Sequence, residues 1–180
     1  MSVLYGRHPL PKSKEEADKN VMKRAEANDP VAMQRISLDR CKKGDYTSSF
    51  KYLTKAAELG DAVAHYQFAQ MYFNGYGVEE DVEKQIYHWE EAAIAGHHLA
   101  RHNLGCHEKM NGNIERAVKH WIIAANMGWD TAIQRLKKCY ADGEVSKEDF
   151  AAALRAHHAA VEATKSPQRE AAERFGIKRR

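Results

Sequence analysis

The sequence predicts an all-α protein assembled from stacked helical hairpins, and three observations carry that expectation. Apolar residues recur at helical spacing: Ala64, Phe68, Ala69 and Tyr72 fall at i, i+4, i+5 and i+8, and Ile86, Trp89, Ala92 and Ala93 form a second stripe. The pattern also repeats along the chain. Ala32, Ala64, Ala100 and Ala132 match, as do Ile36, Phe68, Leu104 and Leu136, and the endings Ala56-Ala57-x-x-Gly60, Ala92-Ala93-x-x-Gly96 and Ala124-Ala125-x-x-Gly128 align. Finally, no hairpin of this kind can bury both of its stripes alone, so each requires neighbours, which is the condition that produces repeat arrays.

Taken in order, residues 1–12 read as an extended segment, because Pro9 and Pro11 bias the residues before them away from helix. Residues 13–28 read as a capping helix. Ser13 with Glu16 makes a capping-box pattern, Ala17, Val21 and Ala25 recur at helical spacing, and Asn28-Asp29-Pro30 ends the run. The repeats then occupy 29–60, 61–96, 97–128 and a degenerate fourth unit, 129–164. In the second, Gly75-Tyr76-Gly77-Val78 breaks the helix and Asp81 caps the next one, which Ala95-Gly96 closes. The fourth unit has Phe150, Leu154 and Val161 but no Ala-Ala-x-x-Gly ending, as expected of a terminal repeat that covers the last open face. Ser166-Pro167 opens a short helix that Gly176 closes, so 165–180 reads as a C-terminal helix and basic tail. Small residues recur where helices cross, and larger ones, Tyr52, Leu53, Trp89 and Trp121, fill the space beside them. Trp89 and Trp121 hold the same second-helix position, and both are expected to be buried.

Composition narrows the function classes. With 28 Lys and Arg against 25 Asp and Glu, the formal charge of +3 is too balanced to predict a nucleic-acid or anionic-membrane surface. The N-terminal segment lacks the apolar run of a signal peptide, and no stretch has the roughly 20 apolar residues of a membrane span. Three cysteines, Cys41, Cys106 and Cys139, are odd in number and widely spaced, which fits free thiols in a reducing compartment. Cytoplasmic residence follows as the expectation, with nuclear entry raised by Lys178-Arg179-Arg180.

The histidines and cysteines are the residues whose spacing could carry chemistry. His98, His102 and Cys106 share one helix face, but no carboxylate or second cysteine completes the three or four ligands that zinc needs. Cys106 beside His102 or His107 could make a thiol nucleophile, yet nothing marks an oxyanion hole, and a small packing residue is the simpler role. Gly75-Tyr76-Gly77 lacks the lysine and hydroxyl residue of a phosphate loop. No cofactor, metal or catalytic residue is therefore expected, and the chain is predicted not to be an enzyme.

The residues of 61–96, from Ala64, Phe68, Ala69 and Tyr72 through the Gly-Tyr-Gly-Val turn to Asp81, Trp89 and Ala92-Ala93-x-x-Gly96, resemble a Sel1-like repeat. That resemblance implies a right-handed α-solenoid related to tetratricopeptide repeats, and a protein-binding scaffold more often than an enzyme. It also implies a binding face. Carrying tetratricopeptide geometry onto the aligned first helices places Gln34 and Leu38, Tyr66, Gln70 and Phe73, His102, Cys106 and Lys109, and Gln134 and Lys138 on the concave side. The leading expectation is a monomeric adaptor that binds a protein or peptide there, with no nucleic-acid or membrane partner. Gly6-Arg7-His8-Pro9-Leu10-Pro11-Lys12 is similar to the segment trailing the zinc ligands of a RING finger, although Val3 and Gly6 stand where the cysteines would. The alternative is thus a substrate-holding or regulatory part of a ubiquitin-ligase assembly. A cysteine-dependent hydrolase ranks last, since the cysteine-rich Sel1-like proteins linked to β-lactams pair two cysteines in each hairpin and here each cysteine is alone in its repeat.

Overall fold

Aspartate and serine set most of the helix starts, because a short side chain at the N-cap accepts a hydrogen bond from a backbone N–H that the helix itself leaves unpaired. A computed structural model describes residues 13–164, and among them it contains nine α-helices and no strand: α1 (Lys14–Glu26), α2 (Pro30–Lys42), α3 (Tyr46–Glu58), α4 (Ala62–Asn74), α5 (Val82–Ile94), α6 (His98–Met110), α7 (Ile114–Asn126), α8 (Asp130–Ala141) and α9 (Lys147–Ala163). Ser13, Asp29, Asp45, Asp61 and Asp81 cap α1 to α5 through their side chains. His97 does the same for α6 through Nδ1. Gly75 closes α4 in the left-handed conformation, at φ 65°, and Asn28 takes the same region at φ 59° between α1 and α2. The extended segment and RING-like residues of 1–12, and the helix and basic tail of 165–180, lie outside the described residues.

The packing divides between Ala95 and Gly96 into two units. In the first, each of α1 to α5 packs on the next, and α2 also touches α4. Its core is built from Val21 and Ala25 of α1, Met33 and Ile36 of α2, Leu53 of α3 and Phe68 and Met71 of α4. Phe50 meets Phe68 edge to face, with ring centroids 4.9 Å apart. Between α2 and α3, Ser37 and Ser49 are both buried and satisfy each other through their hydroxyls at 2.8 Å.

In the second unit α6 packs on α7, α7 on α8, and α9 on both α7 and α8. Trp121 is the largest fully buried side chain here, and Ile133, Leu136 and Cys139 of α8 join it with Val145 and Ala153. His157 of α9 is buried against the Ala125 carbonyl at 3.2 Å and the Asp130 carboxylate at 3.0 Å, which ties α9 to the end of α7 and the start of α8.

The two tryptophans at one repeat position part company. Trp121 is 1% exposed and its indole N–H donates to the His102 carbonyl at 3.3 Å, whereas Trp89 is only half buried and its indole nitrogen has no partner. The facing first helix differs between the two repeats. A Cβ at Gly105 would come within 2.5 Å of the Trp121 ring, so the indole occupies space that only glycine leaves open. In the second repeat Ala69 stands at the matching position and is itself fully buried.

Candidate partner-binding faces

The first helix of each repeat turns one stripe into the core and leaves another outside it. In the first unit the outer stripes belong to α2 and α4. Leu38 is 48% exposed and Phe73 is 59% exposed, while Tyr66 is partly buried and its hydroxyl accepts a hydrogen bond from Gln70 Nε2 at 2.9 Å. Gln34 is spent differently: its Nε2 donates to Asp61, the N-cap of α4, and so links two successive first helices. Apart from its histidine, α4 contains no ionisable side chain other than tyrosine, so the face around Phe73 is aromatic and amide in character.

In the second unit the stripes belong to α6 and α8. Gln134 and Lys138 are exposed. His102 is only 8% exposed, beside Trp121 at a ring separation of 6.5 Å, and its Nε2 lies 3.5 Å from the Cys106 sulfur. Burial, and then the Arg135 charge, hold the His102 imidazole below its ordinary range. Lys109 is already occupied, since its ammonium donates to Glu144 at 2.6 Å and reaches the Cys139 sulfur at 3.7 Å. That hydrogen bond raises the Lys109 pKa and lowers that of Glu144, while burial pushes the Cys139 thiol up to about 11. The sequence-derived set thus contains outward groups, Leu38, Phe73, Gln134 and Lys138, and groups engaged inside their own unit, Gln34, His102 and Lys109.

Three participants escaped sequence reasoning. Glu144 lies 35 residues from Lys109 and beyond the point where the repeat pattern fades, so no local spacing pairs them. Arg135 sits on α8, away from the apolar stripe by which the helices align. The third is an aromatic cluster in the first unit. His88 of α5 stacks on Phe68 and Tyr72 of α4, with centroids 4.8 and 5.7 Å apart, and its Nδ1 is 3.2 Å from that of His65. Both histidines line a mostly apolar hollow of about 380 Å³ with Phe50 and Phe68. Burial, then the nearby His65, push the His88 imidazole down to about 4.

Among the described residues no three His, Cys, Asp or Glu side chains are grouped as metal ligands, and no helix is long and apolar enough to cross a membrane. The Sel1 repeat family model matches residues 37–61, 62–97 and 98–129, more than half of the 180 residues. A crystal structure of a Sel1 repeat protein from Oxalobacter formigenes superposes with a TM-score of 0.69 at 27% identity, covering 84% of this chain and 66% of that one. A second, c5321, a protective antigen of uropathogenic Escherichia coli with the SLR fold, gives a TM-score of 0.63 at 26% identity over 82% of this chain. This chain spans just under two thirds of the first protein's length and a third, 33%, of the second's. The fold class is accordingly the all-α solenoid of Sel1-like repeats.

Proposed function

This chain belongs to the Sel1 repeat family, and from that premise we propose a non-catalytic adaptor that binds a protein or peptide partner on the outer stripes of its first helices. Proteins built from Sel1 repeats generally serve as scaffolds for protein interaction. The observation that carries the finer reading is the pair Leu38 and Phe73, two large apolar side chains left in solvent on first helices that touch each other. An exposed aromatic beside half-buried Tyr66 and the amide of Gln70 suits an extended or helical peptide, because aromatic anchors carry much of the energy of such contacts. In the second unit Gln134, Lys138 and Arg135 offer an amide and cations to the same kind of ligand.

The test is capture of binding proteins by the intact chain, compared with two surface variants. Leu38→Ser with Phe73→Ser should abolish capture, and Tyr87→Ser with Ile94→Ser, exposed on the second helix α5, should leave it unchanged. Retention in the first variant with loss in the second would place the binding face on the other side of the hairpins. Lys138→Glu probes the second unit better than Lys109→Glu, which would set a new carboxylate against Glu144 and disturb the fold itself.

A further inference from the structure

The hollow of the first unit has rings for walls: Phe50 of α3, His65 and Phe68 of α4 and His88 of α5. At about 380 Å³ it is near the lower end of the range for ligand sites. Phe50 meets Phe68 edge to face, and His88 stacks on Phe68 with centroids 4.8 Å apart. Burial, then the nearby His65, keep the His88 imidazole neutral above a pH of about 4, so this wall brings no positive charge. Most polar groups of the lining are spent. Thr54 Oγ1 donates to the Phe50 carbonyl at 3.0 Å, and the Nδ1 atoms of His65 and His88 face each other at 3.2 Å. Glu58 is the exception: it is exposed, and among the described residues its carboxylate has no hydrogen bond or ion pair, not even with Lys55 one turn back on α3. An aromatic surface ending in an unpaired carboxylate is complementary to a cation on an apolar stem. The same unit already contains one such arrangement. Tyr72, one turn beyond Phe68 and stacked with His88, has the Lys84 ammonium 5.3 Å from its ring centre, while Asp81 pairs with that ammonium at 3.0 Å.

We propose that this hollow receives an arginine side chain of a bound peptide, with its guanidinium stacked on the rings and paired with the Glu58 carboxylate. Arginine suits the site better than lysine. A planar, weakly hydrated guanidinium gives up water more readily than an ammonium, lies flat on a ring face and directs two parallel N–H donors at one carboxylate. Glu58 by itself would hold a cation only weakly, as exposed ion pairs do. The rings supply the rest, because the stem and the guanidinium leave water against Phe50 and Phe68 as the charge meets its counterion. The hollow draws on α3 and α5, the second helices of their repeats, so it is separate from the stripes of Leu38 and Phe73. The proposal therefore stands whether or not a partner binds on the first helices.

The experiment titrates the full chain at neutral pH with N-acetylarginine amide and, as its uncharged isostere, N-acetylcitrulline amide, following the ring resonances of Phe50, Phe68 and His88 by NMR. The arginine compound should shift these resonances and saturate, binding about fivefold more tightly than citrulline, with N-acetyllysine amide in between. Glu58→Gln, a change at an exposed position, should leave the melting temperature unaltered and bring the arginine and citrulline affinities within about twofold of each other. Added salt should weaken arginine binding and leave citrulline unaffected. Equal binding of arginine and citrulline to the unaltered chain would overturn the proposal, as would arginine binding undiminished in Glu58→Gln or no shift of these rings at all. N-acetylphenylalanine amide binding more tightly than arginine would also overturn it, by showing that the hollow takes an apolar anchor.

Discussion

Gly105 and Trp121 illustrate how one residue's size is set by another across two helices. The indole lies where the Cβ of any other residue at position 105 would stand, so Gly105→Ala should cost about 1 to 3 kcal/mol by overpacking, read as a lower urea midpoint with an unchanged slope. Trp121→Ala should cost about 3 to 5 kcal/mol, as for other fully buried aromatics, and Trp89→Ala less because its side chain is only partly buried. Equal losses for the two tryptophans would show that Trp89 is as well packed as its counterpart. His88 brings a pH dependence. Its pKa falls from 6.5 in the unfolded chain to about 4 in the fold, so between those values the unfolded chain binds a proton that the folded one refuses. Its stabilising contribution is complete above pH 6.5 and declines as the pH drops toward 4. Melting curves from pH 7 to 4.5 should show this decline, and His88→Gln should flatten it; an equally steep profile in the variant would assign the effect to other groups.

At the scale of elements, the caps show which helix starts are well specified. Asp61 has two roles, accepting the Ala64 backbone N–H at 2.7 Å and the Gln34 amide from α2, so it fixes both the start of α4 and the position of α2 beside it. Asp61→Ala should cost about 1 to 2 kcal/mol, the upper part of the range for lost caps, while Asp61→Asn retains most of the stability. A melting temperature indifferent to both changes would mean that α4 is held by packing alone. The later helices rely less on such caps: Asn113 gives α7 no side-chain hydrogen bond and turns its amide to Glu108 instead, and Trp129 precedes α8 without one. In their place the second unit uses α9, which lies against two helices at once and brings His157 to the end of α7.

For the whole molecule, long-range pairs within each unit matter as much as the repeat pattern. The Lys109–Glu144 ion pair joins α6 to the turn after α8, and Lys109→Glu should lower stability by about 1 kcal/mol or somewhat more, since it replaces an attraction by a repulsion. Adding Glu144→Lys should restore much of that loss, and a double variant no better than the single one would deny the pair its role. The all-helical repeat class was legible in the sequence because the alanines at 32, 64, 100 and 132 and the Ala-Ala-x-x-Gly endings obey the 3.6-residue period, a local geometric property that any stretch of chain carries with it. The contrast between Trp89 and Trp121 was not legible, because the room for Trp121 is left by Gly105 on the facing helix, and facing residues are far apart in the chain. The same holds for the candidate faces. Their outward groups follow from helical phase, but only the packing decided that Gln34 is consumed by a helix cap, that Lys109 is neutralised by Glu144 and that His102 is drawn inward beside Trp121. Periodicity is written residue by residue, whereas the partner of a polar group is chosen by whichever side chain the tertiary contacts bring within about 3 Å.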